Sequence, residues 1–250
     1  SVGFNPSFGA INRGGSHDFM SQSAQGALGA NRADVWRVLR EISQRCGGDA
    51  GYPGLLGPME LPAARSPKRL VFFETPGWSK CSDALKATTR GALEKLRKAG
   101  VEIIDRKDSA EVEYLEQAFN ICIRLTREIN GWESIWPINI YRDRDASKIS
   151  KPMLERLAEA EAMKPSDYHR ALVERATLRA AYAKLVERAD ACVTLAATGP
   201  APVGLASTGD AAFAVHSSVL GVPAMTVPLL RENSLPVGLQ LMGFEDRKST

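Results

Sequence analysis

The chain lacks any run of about 18 consecutive apolar residues, the length a membrane-spanning helix requires, and its first residues lack the basic and apolar stretches of a secretory leader. Those absences predict a soluble protein that works in the cytoplasm. An excess of charge of one sign is missing too. Against 32 basic residues stand 29 acidic ones, a net charge of +3, and the two signs alternate in runs such as residues 141–146. No concentrated field remains to steer a polyanion, so nucleic acid is not an expected partner. Histidine is scarce: His17, His169 and His216 are spaced so that no two share a helical face, and no metal site is expected. Cys46, Cys81, Cys122 and Cys192 lie tens of residues apart with apolar neighbours and no Cys-x-x-Cys pair, which predicts buried free thiols. Nucleophile and phosphate motifs are absent as well, with no Gly-x-Ser-x-Gly and no glycine-rich phosphate loop. The nearest approach, Gly14-Gly15-Ser16-His17, reads first as a turn in which Asp18 accepts backbone hydrogen bonds.

What is present suits an α/β domain. With 250 residues, 44% of them hydrophobic and 24% charged, the chain can bury roughly three quarters of its unfolded surface, as one domain or as part of a larger one. Residues 33–45 place Val35, Trp36, Val38, Leu39 and Ile42 at helical spacing, with Asn31 positioned to accept from the first free amides. Pro53, Pro58, Pro62 and Pro67 exclude a regular element across residues 47–67. Residues 69–74 form a short apolar run, 82–100 a helix and 101–104 a second strand, a βαβ unit with a parallel pair. Val112, Leu115, Phe119, Ile123 and Ile129 predict one long helix over 110–130, and residues 166–188 predict another, with Trp132, Trp136 and Pro137 in an irregular connector. A buried strand at 191–196 follows. Residues 213–242 then read as two apolar strands about a polar turn, an antiparallel addition to the sheet.

Five stretches, in order, carry a resemblance. They are Gly3-Phe-Asn-Pro-Ser-Phe-Gly9 with Ile11-Asn-Arg-Gly14; Ser21-Gln-Ser-Ala-Gln-Gly26 with Ala33-Asp34; Glu74-Thr-Pro-Gly-Trp78; Asp190-Ala-Cys-Val193 running to Ala201-Pro202; and residues 213–242. Together they cover nearly the whole chain, which resembles the C-terminal portion of the amidase signature family. The resemblance implies a layered α/β/α mixed sheet, incomplete here, in a single partial domain over residues 1–250. It also implies hydrolysis of a small-molecule amide by a Ser-Ser-Lys triad whose nucleophile forms an acyl-serine, with no cofactor.

The triad lysine and its Gly/Ser-rich loop belong upstream of the stretch at Gly3. Lys68, Lys80 and Lys86 lack the family's strand context, so the resemblance places no catalytic residue here. Two departures, Asn5-Pro6-Ser7 for Lys-Pro-Thr and Leu195 for proline, touch no expected catalytic atom. Asp34 corresponds to an acidic residue that opens a helix, a cap rather than a catalyst. The middle helices and the segment before Gly221-Val222-Pro223 imply a substrate pocket of Phe119, Trp132, Trp136, His216 and Ser217. For each the competing expectation is core packing or local hydrogen bonding. A homodimer is compatible with the resemblance. The chain is expected to be cut at both ends; the alternative is a complete, non-catalytic amidase-like binding or assembly subunit.

Overall fold

The computed structural model describes residues 1–15 and 20–244, so the Ser16-His17-Asp18 turn and Asp246 lie outside the described residues. Strands β1 (Val2–Asn5) and β2 (Ala27–Gly29) form an antiparallel pair ahead of helix α1 (Arg32–Cys46). The expected helix start holds: the Asn31 side chain accepts from the Asp34 amide at 2.9 Å and donates to the Asp34 carboxylate at 2.7 Å. Asp34 therefore acts in capping. Neither β1 nor β2 was evident from the sequence, because three or four residues show too little alternation and both strands are specified by pairing.

Residues 47–68 contain no helix or strand, as their prolines require. Strand β3 (Arg69–Phe72), helix α2 (Asp83–Lys98) and strand β4 (Glu102–Ile104) make the expected βαβ unit, with β3 and β4 parallel. Ser82 caps α2 by accepting from the Leu85 amide at 3.0 Å.

The single long helix expected over 110–130 is instead two. Helix α3 (Ala110–Ala118) gives way to a tight turn at Phe119–Ile121, and α4 (Cys122–Asp145) continues beyond the expected end. Trp132, expected in an irregular connector, lies within α4, whereas Trp136 and Pro137 mark an irregular break in it. The helix is interrupted at Trp136 (φ −99°, ψ 127°), whose peptide bond to Pro137 is cis, since proline excludes its predecessor from helical geometry. Helix α5 (Lys151–Glu161) was not anticipated; it is short and buries only Leu157 and Ala160. Helix α6 (Pro165–Ala183), strand β5 (Ala191–Leu195), helix α7 (Val215–Leu220) and strands β6 (Ala224–Glu232) and β7 (Leu235–Met242) complete the described chain.

The strands form one mixed sheet in the order β2-β1-β6-β7-β5-β3-β4. The β6–β7 hairpin turns at Asn233 and Ser234, both at positive φ (49° and 65°), the backbone that matches strand twist in a two-residue hairpin. Alternate residues of β3 and of its extension at Phe73 serve opposite cores: Val71 and Phe73 face the layer of α3, α4, α6 and α7, whereas Leu70 and Phe72 pack with Leu85 and Leu93 of α2. Burial on both faces explains why this strand reads as a continuous apolar run. Cys81, Cys122 and Cys192 are buried as expected. Cys46 is not: it closes α1 in solvent. Among the described residues no helix is long and apolar enough to cross a membrane.

Candidate functional site

The helical layer carries a buried polar junction built from three distant stretches. Glu133 on α4 accepts from the Ser21 amide at 2.8 Å and from the Ser21 hydroxyl, and also from the Tyr168 hydroxyl of α6 at 2.9 Å. Arg175, two turns along α6, donates to the Ser21 hydroxyl at 2.8 Å and to its carbonyl at 3.1 Å. Burial pushes the Arg175 guanidinium below its usual pKa, with the Glu133 charge opposing, while burial and the same carboxylate push Tyr168 up to about 12. Tyr168 therefore keeps its proton at neutral pH. The Ser21 hydroxyl donates to one neighbour and accepts from another, so it serves as a clamp between α4 and α6. Beside it, the Gln22 side-chain amide donates to the Thr126 hydroxyl at 2.9 Å.

Of the five residues expected to line a pocket, Phe119, His216 and Ser217 lie at or beside α7, and Trp132 and Trp136 lie on α4. Phe119 and His216 meet, with ring centroids 4.8 Å apart, and His216 is 1% exposed. Its Nδ1 lies 3.3 Å from the Phe213 carbonyl, and burial holds its pKa down at about 4, so the imidazole is neutral at physiological pH. Ser217 turns its hydroxyl onto the Ala214 carbonyl at 3.2 Å. Trp132 stacks on Tyr168 at 5.5 Å and 13°, next to the junction. Trp136 stands apart at the kink, 50% exposed.

The Glu74–Trp78 stretch is held by a buried carboxylate. Glu116 accepts from the amides of Glu74 and Thr75 at 2.6 Å and 2.8 Å. Desolvation outweighs those bonds and raises Glu116 to about 6. Thr75 sits at φ 55°, and Gly77 lies flat against Phe213, where a Cβ would come within 2.7 Å of the ring. This loop packs against the segment leading into α7, a scaffold role.

A cavity of about 860 Å³ lies between α4, α5 and the stretch from Asp210 to Val215. Its α4 wall presents Thr126, Asn130 and Ser134, one turn apart on one face. Two of these carry buried oxygens without a hydrogen-bond partner, Asn130 Oδ1 and Ser134 Oγ. None of the five expected pocket residues lines the cavity. Sequence reading missed it although the i, i+4, i+8 polar spacing was a signal; a polar stripe on a helix ordinarily marks the solvent face. Among the described residues no cluster of three His, Cys, Asp or Glu side chains could hold a metal ion.

Compared with known families, residues 1–247 match the profile described as Amidase. The chain belongs to the amidase signature family. Among solved structures, it is similar to a 6-aminohexanoate cyclic dimer hydrolase (16% identity, 98% of this chain and 57% of that one, TM-score 0.65) and to a bacterial aryl acylamidase of the amidase signature family (12%, 97% and 54%, 0.61). A third similar structure is that of an amidase (21%, 97% and 54%, 0.65). At these identities the likeness establishes the fold. The chain spans little more than half the length of these solved proteins. A comparison with curated proteins finds no match. Within the amidase fold, the stretch at Gly3 is β1, zipped onto β6, and the one at Ser21 is the clamp between α4 and α6.

Proposed function

We propose that these 250 residues form the C-terminal portion of an amide hydrolase that cleaves a carboxamide C–N bond through an acyl-serine intermediate. The observation that carries this reading is the family match over residues 1–247, supported by the mixed sheet with helices on both faces. A serine outside these residues attacks the carbonyl, backbone amides stabilise the oxyanion, the amine leaves with a proton, and water then hydrolyses the ester. This portion supplies support and pocket shape. In that division Trp132 and Trp136 offer ring surface to the substrate, while Phe119, His216 and Ser217 shape the wall from behind, their polar atoms answered locally. A cytoplasmic location, a homodimer and the lack of any cofactor belong to the same reading.

The test is to treat the native gene product with a serine-reactive phosphonate and map the modified peptide. Labelling at a serine outside residues 1–250 is expected. A label on a serine within them, or a native product that is never labelled, overturns the reading.

A further inference from the structure

The cavity between α4 and α5 is apolar in its body and charged at its rim, and one rim charge is unanswered. Ile138, Met153, Leu157, Met163 and Val215 line the body. Ile138, Met153 and Met163 are half-buried and keep accessible surface, and the two thioether chains adapt to irregular shapes. The unpartnered Asn130 Oδ1 and Ser134 Oγ are sealed within the α4 wall and offer an occupant nothing. At about 860 Å³ the space falls within the range of small-molecule sites, roughly 300–1,000 Å³.

The rim sets the carboxylates of Glu128, Glu155, Glu159 and Asp210 against the guanidinium groups of Arg127 and Arg156. Each carboxylate already has a cation. Glu128 pairs with Arg124 at 2.8 Å, Glu155 with Lys151 at 3.9 Å and Asp210 with Lys80 at 2.7 Å, while Glu159 gives both oxygens to Arg127. That leaves Arg156, exposed and with no ion pair or hydrogen bond among the described residues. It shares a face of α5 with Met153 and Ala160, at i−3 and i+4, which places its charge beside the apolar body.

We propose that this cavity binds an amphipathic monocarboxylate, its carboxylate on Arg156 at the rim and its aliphatic chain on Ile138, Met153 and Met163. A guanidinium presents two parallel N–H groups to a carboxylate, and the methionines accept a flexible chain. A cationic head would be repelled by Arg156. A second carboxylate at the far end of the chain would lose its water among methionines. The site goes beyond the amide-hydrolase reading and holds whether or not this protein cleaves amides.

The experiment uses the native gene product with methyl-13C methionine and octanoate as the probe. Met153 and Met163 line the cavity, whereas Met225 and Met242 lie in the sheet and serve as internal references. Octanoate is expected to shift the Met153 and Met163 methyl signals saturably and leave the references in place. Octanamide, its uncharged counterpart, should bind about fivefold more weakly, a modest factor because an ion pair at a rim stays partly solvated. Raising the salt concentration should narrow that difference. Arg156→Met, an exposed substitution that keeps the apolar stem, should bring octanoate down to the level of octanamide, and octanedioate should bind more weakly than octanoate. Met153→Trp, which fills the space, should abolish the response of Met163.

A non-saturable response, octanamide or octanedioate binding as tightly as octanoate, or undiminished octanoate binding in Arg156→Met overturns the proposal. Unchanged binding to a folded Met153→Trp protein has the same force; if that variant does not fold, Arg156→Met decides. Phosphonate labelling without octanoate binding sinks the cavity alone. Octanoate binding without labelling sinks hydrolysis and leaves the binding site.

Discussion

Glu133 and Ser21, 112 positions apart in sequence, are joined by two hydrogen bonds in which one carboxylate takes both the amide and the hydroxyl proton of the serine. Because Arg175 binds the same hydroxyl from α6, the three residues hold the segment after β1 against two helices of the substrate-facing layer proposed above. Glu133 is 8% exposed, as is Arg175. Removing one charge of such a group strands the other.

Glu133→Ala is therefore expected to lower stability by about 3 kcal/mol, since it leaves the Ser21 and Tyr168 donors unanswered and removes the charge that opposes Arg175 across Ser21. Glu133→Gln keeps one acceptor and costs about 1 kcal/mol. Urea unfolding of both variants checks the order; equal, small losses would show that the junction is held by packing alone.

His216 sets a pH dependence. Its folded pKa is depressed to about 4 from 6.5, so the unfolded chain binds its proton first as pH falls. The neutral ring's contribution is complete above pH 6.5 and is lost progressively down to pH 4, by about 3 kcal/mol at 1.36 kcal/mol per pH unit. Unfolding free energies measured across that window should fall more steeply for the native protein than for His216→Gln. Parallel curves would place the titration elsewhere.

Gly77→Ala tests the contact between the Glu74–Trp78 stretch and the segment leading into α7. A Cβ there would press within 2.7 Å of the Phe213 ring, a buried group that cannot swing aside. Overpacking of this kind costs about 1–3 kcal/mol. A thermal midpoint unchanged by the substitution would mean that the two segments are not in register as described.

The thiols offer a direct probe of burial. Under native conditions a disulfide reagent such as DTNB should modify Cys46 and spare Cys81, Cys122 and Cys192 until denaturant is added. Burial also pushes Cys122 and Cys192 up to about 12, which withholds the reactive thiolate. Fast reaction of a second cysteine in the folded protein would contradict the packing of the core that holds it, the α2 face for Cys81 and the α3–α4 face for Cys122 and Cys192.

The amino-acid sequence by itself determined the elements whose signals are local. Asn31 and Ser82 announce helix starts because a side chain three residues away from a free amide can reach it wherever the rest of the chain lies. The apolar run of β3, the prolines of residues 47–67 and the turn at Asn233–Ser234 act through near neighbours in the same way. Family membership was legible for a related reason, since its five stretches keep their order along the chain.

Tertiary structure alone decided the rest. It paired β1 with β6 and brought α5 to rest on α4, although α5 buries only Leu157 and Ala160. It gathered Ser21, Glu133, Tyr168 and Arg175 into one junction, laid Phe119 against His216 and stacked Trp132 on Tyr168. It also turned the polar stripe Thr126–Asn130–Ser134, which by spacing alone reads as a solvent face, toward the cavity against α5. Each outcome depends on which surfaces meet over a hundred or more residues, and a hydrogen bond or an apolar contact gains its energy only when that meeting excludes water.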